Sequence, residues 1–380
     1  MFTFTEEQEM LRKVVREFVE AEVAPKSQEW DEKNHCPVEL FEMLGEMGMI
    51  GTFVPEEYGG AGLGFMERSI CLEELARHSA GLAITVMAHQ LCMGGILNYG
   101  SEEQKQKYLP DLASGKKIGA LSLTEATGGS DFMGQKSTGE FKDWQWVLNG
   151  RKCFITNSHL ADVDLWTVVT GKNEKGRSVL TGFIIDKDTP GHVAGRTEHK
   201  LGMCSSNTGD VSCVNVKLPP TQMLGQEGDG AKIALSTIQE VGRAGMSAIC
   251  LGILRGCLEE SIKFSNERII YGKPLNKMMN IQFAIAENKL DYETAKLLTY
   301  RAASMKDQKL PCAGEFAMAK YAGTEGAIRT AKRTIDMMGG YGVINEYPIG
   351  RFLRDALAGS TAGGTSDVLR VVIAAETLKR

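Results

Sequence analysis

The chain has 380 residues, which is enough for two or three domains, because single domains usually run to roughly 100 to 200 residues. Its formal net charge is −5 and it has no block of basic residues, which argues against a nucleic-acid partner. None of its nine cysteines forms a Cys-x-x-Cys pair, which argues against a zinc site or a disulfide framework and indicates a reducing compartment.

The N-terminal segment predicts a helix rather than a targeting peptide. Thr5 and Gln8 have the spacing of a capping box, and apolar residues then recur at helical spacing. We identify no basic segment followed by an apolar stretch and no uncharged apolar run of 18 residues, so we expect a cytoplasmic protein without a membrane span. Helical patterns continue through residues 40–49 and 67–99. Residues 1–116 are therefore predicted to form a helical domain.

The pattern changes at residue 117 to short apolar runs separated by turns, which is typical of an antiparallel β domain. The runs are residues 118–123, 146–148, 153–155, 165–169, 180–185 and 211–216. Long helical patterns then return and continue to the end of the chain. We predict an α+β fold in which residues 117–225 form a β-barrel or sandwich and residues 226–380 form a four-helix bundle.

Two segments of the predicted β domain carry possible ligand contacts. Residues 121–131 leave a strand and enter a Gly-rich loop, whose backbone N–H groups and hydroxyls suit the edge of a ring or a phosphate. Taken alone, an ordinary surface loop is the simpler interpretation. Residues 149–157 begin with Asn149 and Gly150, and taken alone they predict a hairpin turn that leads into a buried strand.

Together, the two segments resemble signatures of the acyl-CoA dehydrogenase family. The chain resembles the isovaleryl- and short-chain-like members of that family, and the isovaleryl-type likeness is especially close at residues 88–95 and 347–355. The first resembles the family's Thr-Glu-Pro-Gly-Ala-Gly-Ser-Asp loop, with Ala126 in place of the proline, and the second resembles its Asn-Gly-x-Lys-x-Trp/Phe-Ile-Thr-Asn strand. The resemblance implies FAD as the cofactor. The flavin contacts that it implies are Leu121, Ser122, Leu123, Thr124, Gly129, Ser130, Phe154, Ile155 and Thr156.

Residues 266–275 and 336–342 resemble two further family signatures, Arg-x-x-Phe-Gly-Lys-Pro and Gln-x-x-Gly-Gly-x-Gly. In the family both segments reach the flavin nucleotide of a neighbouring subunit, and an arginine fork suits its pyrophosphate. The contacts implied here are Arg268, Ile270, Met279, Asp336, Met337, Gly339 and Gly340. Met279 and Asp336 each stand where a glutamine is common. The resemblance also implies a homotetramer, with electron-transferring flavoprotein as redox partner.

Residues 238–243 resemble an Asp-x-x-Arg pattern that contacts the CoA side of the ligand. Taken alone, Glu240 and Arg243 share one face of an α-helix and predict a surface ion pair. The resemblance instead implies that both contact an acyl-CoA, together with Ser130 and Gly364.

The C-terminal motif lacks the family's usual catalytic base. Residues 351–355 read Arg-Phe-Leu-Arg-Asp, and residues 363–367 read Gly-Gly-Thr-Ser-Asp, where Glu-Gly-Thr-Ser usually stands. Some members carry the glutamate at the position of Gly242 instead, and this position is also glycine. The resemblance implies flavin contacts by Thr365, Ser366 and Asp367, and Asp367 is also a candidate cap for the final helix.

No replacement base is identified from the sequence. In an α-helix Glu240 points about 200° away from Gly242, and His89 and Cys92 are more simply interpreted as core residues. Three functions stay open. The first is an FAD-dependent acyl-CoA dehydrogenase or enoyl-CoA reductase with an atypical proton-transfer group, acting in fatty acid metabolism. The second is a desulfinase-like lyase that expels a β-substituent without net redox, and the third is a non-catalytic subunit that binds flavin or acyl-CoA.

Overall fold

The N-terminal region of the computed structural model is helical, and the structure describes residues 3–378. Residues 1, 2, 379 and 380, which the predicted outer domains include, lie outside the described part. The helices are α1 (Glu6–Phe18), α2 (Ser27–Lys33), α3 (Phe41–Glu46), α4 (Phe65–Ala76), α5 (Ala80–Tyr99) and α6 (Glu102–Ala113). The predicted capping box is confirmed, because the Gln8 N–H donates to Thr5 Oγ1 at 3.2 Å and the Thr5 N–H donates to Gln8 Oε1 at 3.1 Å.

Two helical segments have the length and composition of a membrane span, which corrects the expectation that no such run is present. They are Ala80–Tyr99 and Gly230–Glu267, and 94% of the apolar window of each is buried inside the protein. Burial of this extent is typical of core helices, so the two segments are weak evidence for a membrane.

Strands occupy the middle of the chain, as predicted. They are β1 (Gly119–Ser122), β2 (Thr138–Lys142), β3 (Gln145–Thr156), β4 (Val163–Lys172), β5 (Ser178–Asp186), β6 (His192–Thr197), β7 (Thr208–Leu218) and β8 (Met223–Leu224). They form one sheet in the order β6-β7-β3-β2-β4-β5-β8, in which β1 pairs in parallel with β4. The sheet has a core cluster of its own, separate from the cluster that the two helical regions share.

The hairpin turn that Asn149 and Gly150 suggest when taken alone does not form, because β3 runs through both residues. The turn lies one strand earlier, where Asp143 and Trp144 join β2 to β3 with φ of 50° and 61°. Positive φ at both central residues is what a two-residue type I′ hairpin requires. A Cβ on Gly150 would lie 2.1 Å from Ser137 Oγ, so glycine permits a close approach here.

The C-terminal region is helical, with one short two-stranded ribbon. Its elements are α7 (Gly230–Ser236), α8 (Arg243–Glu267), β9 (Ile269–Ile270), β10 (Lys273–Pro274), α9 (Met279–Asp307), α10 (Ala313–Met338), α11 (Ile349–Gly359) and α12 (Ser366–Leu378). A π-helical turn, Thr237–Gly242, joins α7 to α8. Helix α8 packs against α9 and α10 and also against α4, and so connects the two helical regions.

Candidate functional site

The two segments predicted to face the flavin lie side by side, since the Cys153 N–H donates to Thr124 O at 2.8 Å. The loop between β1 and β2 is closed by the buried Glu125, which accepts from Lys152 Nζ at 2.8 Å and from the Ser137 N–H at 3.1 Å. Burial alone would raise the pKa of Glu125, but the hydrogen bonds from Lys152 and Ser137 outweigh it and lower that pKa. The loop is therefore fixed by an internal ion pair.

Phe154 lies at the surface of the sheet, with 65% of the residue exposed and φ of 59°. Ile155 beside it is buried. An exposed aromatic ring next to the loop suits a planar apolar ligand such as the flavin ring system. The Ser122 hydroxyl donates to both oxygens of Asp164 at 2.8 Å, so its hydrogen is not available to donate to a cofactor.

The other predicted contacts of this region are less buried. Leu121, Leu123, Thr124 and Thr156 are half-buried, while Gly129 and Ser130 are exposed on the loop.

Six of the predicted nucleotide contacts line one cavity of about 580 Å³. They are Arg268, Ile270, Asp336, Met337, Gly339 and Gly340. The Arg268 guanidinium lies over the Tyr341 ring at 5.1 Å. No described atom lies within 4 Å of where a Cβ on Gly339 or Gly340 would stand, so their backbone is open to a ligand. These residues fit the phosphate and adenosine portion of FAD. Met279 is 68% exposed and does not line the cavity.

The two glycines at the family's base positions lie next to each other. A Cβ on Gly363 would lie 3.8 Å from the Gly242 carbonyl oxygen and 3.4 Å from Met246 Cγ. A Cβ on Gly242 would lie 3.4 Å from Leu91 Cδ2 and 3.7 Å from Ile238 Cδ1. The two sequence positions are therefore one place in the structure, and its nearest side chains are apolar.

Lys320 of α10, which the sequence analysis missed, holds the loop that carries Gly363. Its side chain is buried, and Nζ donates to Gly364 O at 2.7 Å and to Ser360 O at 3.1 Å. Burial lowers the pKa of Lys320 to about 8. The only signal in the sequence was a lysine inside an apolar stretch of the helix, and the lysine acts here as a positioning residue.

The start of α12 differs from the prediction, because Thr365 caps the helix rather than Asp367. The Val368 N–H donates to Thr365 Oγ1 at 3.3 Å, whereas Asp367 accepts from Arg370 at 2.9 Å. A threonine hydroxyl preceding the first turn is a common N-cap. The Ser366 hydroxyl is also engaged, since it donates to Glu325 at 2.6 Å.

The ion pair between Glu240 and Arg243, which the sequence suggests when the segment is taken alone, does not form. The π-helical turn changes the spacing that places residues three apart on one face of an α-helix. Glu240 pairs instead with Lys306 at 2.5 Å, and both line a cavity of about 1010 Å³ beside α9 and α12. Arg243 is buried, and its Nε and Nη1 atoms have no hydrogen-bond partner in the described part of the chain. Burial also lowers its pKa.

His89 and Cys92 belong to the core and are not exposed. His89 Nε2 donates to Leu112 O at 2.9 Å, and Nδ1 accepts from the Gly119 N–H at 2.8 Å. Burial lowers the pKa of His89 to about 4 and raises that of Cys92. With both ring nitrogens occupied by backbone groups, His89 has no site left for a substrate proton.

Three family models together match most of the chain. They are described as the acyl-CoA dehydrogenase N-terminal domain (residues 5–116), middle domain (120–216) and C-terminal domain (228–378). Among similar proteins, a glutaryl-CoA dehydrogenase of Desulfococcus multivorans is 38% identical over 99% of this chain and 98% of its own. An acryloyl-CoA reductase (NADH) of Anaerotignum propionicum is 36% identical over 100% of this chain and 96% of its own.

Two solved structures have the same fold over the full length of both chains. Butyryl-CoA dehydrogenase from Megasphaera elsdenii superposes with a TM-score of 0.96 at 36% identity and covers 100% of each chain. A chain from the structure described as electron transferring flavoprotein of Acidaminococcus fermentans superposes with a TM-score of 0.97 at 35% identity and also covers 100% of each chain.

Proposed function

Because the chain belongs to the acyl-CoA dehydrogenase family, whose enzymes are FAD-dependent oxidoreductases of CH–CH bonds, we propose that it acts at the α,β bond of an acyl-CoA thioester. The direction is oxidation of the acyl-CoA or reduction of the enoyl-CoA. The observation that carries the proposal of an atypical proton-transfer group is that both usual base positions are glycine, residues 242 and 363, and lie side by side with apolar side chains around them.

FAD fits the residues present, and when bound it accepts or supplies the hydride exchanged at Cβ. Phe154 and residues 121–124 would hold the flavin ring, while Arg268 and the Gly339–Gly340 backbone would hold the nucleotide portion. We infer that the two sets serve FAD molecules of neighbouring subunits, as in a homotetramer. The likeness to the Acidaminococcus chain supports electron-transferring flavoprotein as the redox partner.

The chain's own residues position the thioester and control access of water. Lys320 fixes the Gly363–Gly364 loop through two backbone carbonyls. Leu91, Ile238 and Met246 surround the glycines with apolar atoms, which strengthens electrostatic interactions with the substrate there. A positioned base contributes about 10² to 10⁴-fold in rate, so we expect slow α-proton removal from simple saturated acyl-CoAs.

Anaerobic bleaching of the bound flavin tests this proposal directly. A panel of saturated acyl-CoAs is mixed with the FAD-loaded protein, and enoyl-CoAs are mixed with the dithionite-reduced protein. We expect at least one thioester to bleach or reoxidise the flavin. Absence of both reactions with every thioester would contradict the redox proposal.

Restoring a base at Gly242 should accelerate bleaching by butyryl-CoA about 10² to 10⁴-fold. Gly242→Glu is the suitable variant, because φ of Gly242 is −68° and the nearest atom to the added Cβ lies at 3.4 Å. Gly363→Glu is strained, since φ of Gly363 is +68°. Gly242→Gln is the matched control and should give no gain. A flavin-loaded Gly242→Glu variant without acceleration would show that the pocket differs more widely.

The apolar surroundings of both base positions favour one second candidate, a lyase that expels a β-substituent without removing the α-proton. A β-sulfinoacyl-CoA is the probe: its C–S bond breaks with the electron pair left on Cβ, which takes a proton from water, and the sulfur dioxide released adds the remaining hydroxide to give sulfite. Sulfite release is the readout. Release of sulfite without net flavin reduction would favour this candidate over the redox proposal.

A further inference from the structure

Helix α4 buries a charged side chain that the proposed chemistry has not used. Arg68 has 0% exposure, and its Nε donates to Gln90 Oε1 at 2.7 Å. Its two terminal nitrogens, Nη1 and Nη2, have no hydrogen-bond partner among residues 3–378. Gln90 is itself held, because its amide nitrogen donates to Ile50 O at 3.0 Å. The glutamine therefore fixes one edge of the guanidinium and leaves the other edge unoccupied.

Arg68 forms no ion pair with a carboxylate in the described part of the chain. The guanidinium lies 5.7 Å from the Phe53 ring centre and 5.5 Å from that of Phe65. Burial lowers the pKa of Arg68 to about 9, opposed only by the thiol of Cys71, so the side chain is still a cation at neutral pH. A buried charge without a partner costs several kcal/mol. Such a cost is expected where a ligand supplies the partner.

The unoccupied edge of Arg68 lies beside α8, about one helical turn from the proposed reaction site at Gly242. Arg68 Nη2 stands 2.8 Å from where a Cβ on Gly245 would be, and Met87 Cγ stands 2.3 Å from the same point. Gly245 follows Gly242 by three residues, which is about 4.5 Å along an α-helix and nearly one turn. Both glycines face α5, Gly242 towards Leu91 and Gly245 towards Met87. The path from Gly242 to Gly245 therefore follows the α5–α8 interface, past Leu91 and Met87, towards Arg68.

We propose that Arg68 binds an oxyanion at the far end of the acyl chain, so that the substrate is the CoA thioester of a short dicarboxylic acid or of its sulfinate analogue. This rests on the proposed function, which places the acyl α-carbon at Gly242 and Gly363. The guanidinium fork matches a planar carboxylate with two N–H donors. Glycine at residue 245 allows Arg68 Nη2 and Met87 Cγ to approach the α8 backbone closely, since a Cβ there would lie 2.8 Å and 2.3 Å from them.

The test compares binding of matched thioesters, which requires no turnover. Dissociation constants are measured by calorimetry on the FAD-loaded protein for glutaryl-CoA, its methyl ester and pentanoyl-CoA. We expect glutaryl-CoA to bind at least tenfold more tightly than either uncharged thioester. Arg68→Met should reverse that order, because the charged end then has no partner, and Arg68→Lys should restore part of the preference. Gln90→Leu should weaken glutaryl-CoA binding less than Arg68→Met does.

Two outcomes would overturn the inference: equal affinity of the wild-type protein for the charged and uncharged thioesters, or an unchanged preference in Arg68→Met. If Arg68→Met does not fold, the wild-type comparison and Arg68→Lys decide alone. A preference for glutaryl-CoA without flavin bleaching by any thioester would contradict the redox proposal and leave the anion site standing. Bleaching by uncharged thioesters without a preference for glutaryl-CoA would contradict the anion site and leave the redox proposal standing.

Discussion

Two arginines cross between α4 and α8 in opposite directions and meet opposite environments. Arg255 extends from α8 to α4, where Nη1 donates to Glu74 at 2.5 Å and lies 3.6 Å from Glu73. Arg68 extends from α4 to α8 and meets Gly245 without a carboxylate. Both arginines are buried or nearly so: the Arg255 side chain is 12% exposed and Arg68 is 0% exposed. The same interface thus supplies partners for one charge and none for the other.

The pKa shifts of the two side chains differ in sign. Burial would lower the pKa of Arg255, but the charges of Glu74 and Glu73 outweigh it and raise that pKa. Burial of Arg68 is not offset, and its pKa falls. Glu73 also accepts from Arg12 at 3.1 Å and from the Tyr292 hydroxyl at 3.0 Å. Arg255 therefore belongs to an ion-pair network that supports the fold, whereas Arg68 forms one hydrogen bond, to Gln90, and no ion pair among residues 3–378.

The largest expected effect comes from breaking the network. Arg255→Met should lower the free energy of unfolding by about 3 to 5 kcal/mol, because it leaves Glu74 and Glu73 buried without one of their cations. Denaturant unfolding of the ligand-free protein measures this. Lys289→Met removes an exposed i,i+4 pair with Glu293 and is the control, with an expected loss below about 0.5 kcal/mol. A loss of similar size in both variants would mean that burial does not distinguish the two kinds of pair.

His89 sharpens the comparison, because it is buried without an ion partner and remains neutral. Its folded pKa of about 4 lies below the usual 6.5, so below pH 6.5 the unfolded chain binds the proton more readily. Stability is therefore expected to fall as the pH drops from about 6.5 to 4, by up to about 3 kcal/mol. His89→Asn keeps an acceptor for the Gly119 N–H but does not titrate. Unfolding at pH 7.5, 5.5 and 4.5 should show a smaller fall for the variant, and an equal fall would assign the pH dependence to other groups.

The sequence predicted those helices and strands that are marked by a capping motif or by a run of apolar residues. Thr5 and Gln8 predicted the start of α1, and apolar runs predicted most strands. The strands β2 and β6 were missed because most of their residues are exposed, so no apolar run marks them. The π-helical turn was also missed, because residues 237–242 carry the same apolar spacing that an α-helix would.

Contacts between residues that are distant in the chain could not be predicted from local sequence patterns. Gly242 and Gly363 were recognised separately by resemblance, but only the fold brings them together. Arg68 has no acidic residue three or four positions away in the chain, and an arginine in a helix ordinarily suggests an exposed side chain. Its burial and its lack of a partner depend on α5 and α8, which pack over it, and so could not be inferred from local pattern.

The smallest expected change in the free energy of unfolding is that of Arg68→Met. It tests the role of the unpaired arginine, because its sign is opposite to that expected for Arg255→Met. Arg68→Met should raise the free energy of unfolding of the ligand-free protein by about 1 to 3 kcal/mol, since it removes donors that are buried without partners and fills a similar volume. Glutaryl-CoA at 100 times its dissociation constant should then stabilise the wild-type protein by about 2.7 kcal/mol, and the variant by much less at the same concentration. Denaturant unfolding with and without the thioester measures both effects.

If Arg68→Met destabilises the ligand-free protein as Arg255→Met does, Arg68 supports the fold like the paired arginines, and the contrast between the two charges is lost. If the variant is more stable alone yet gains as much from the ligand, the arginine is a cost to the fold without a role in binding.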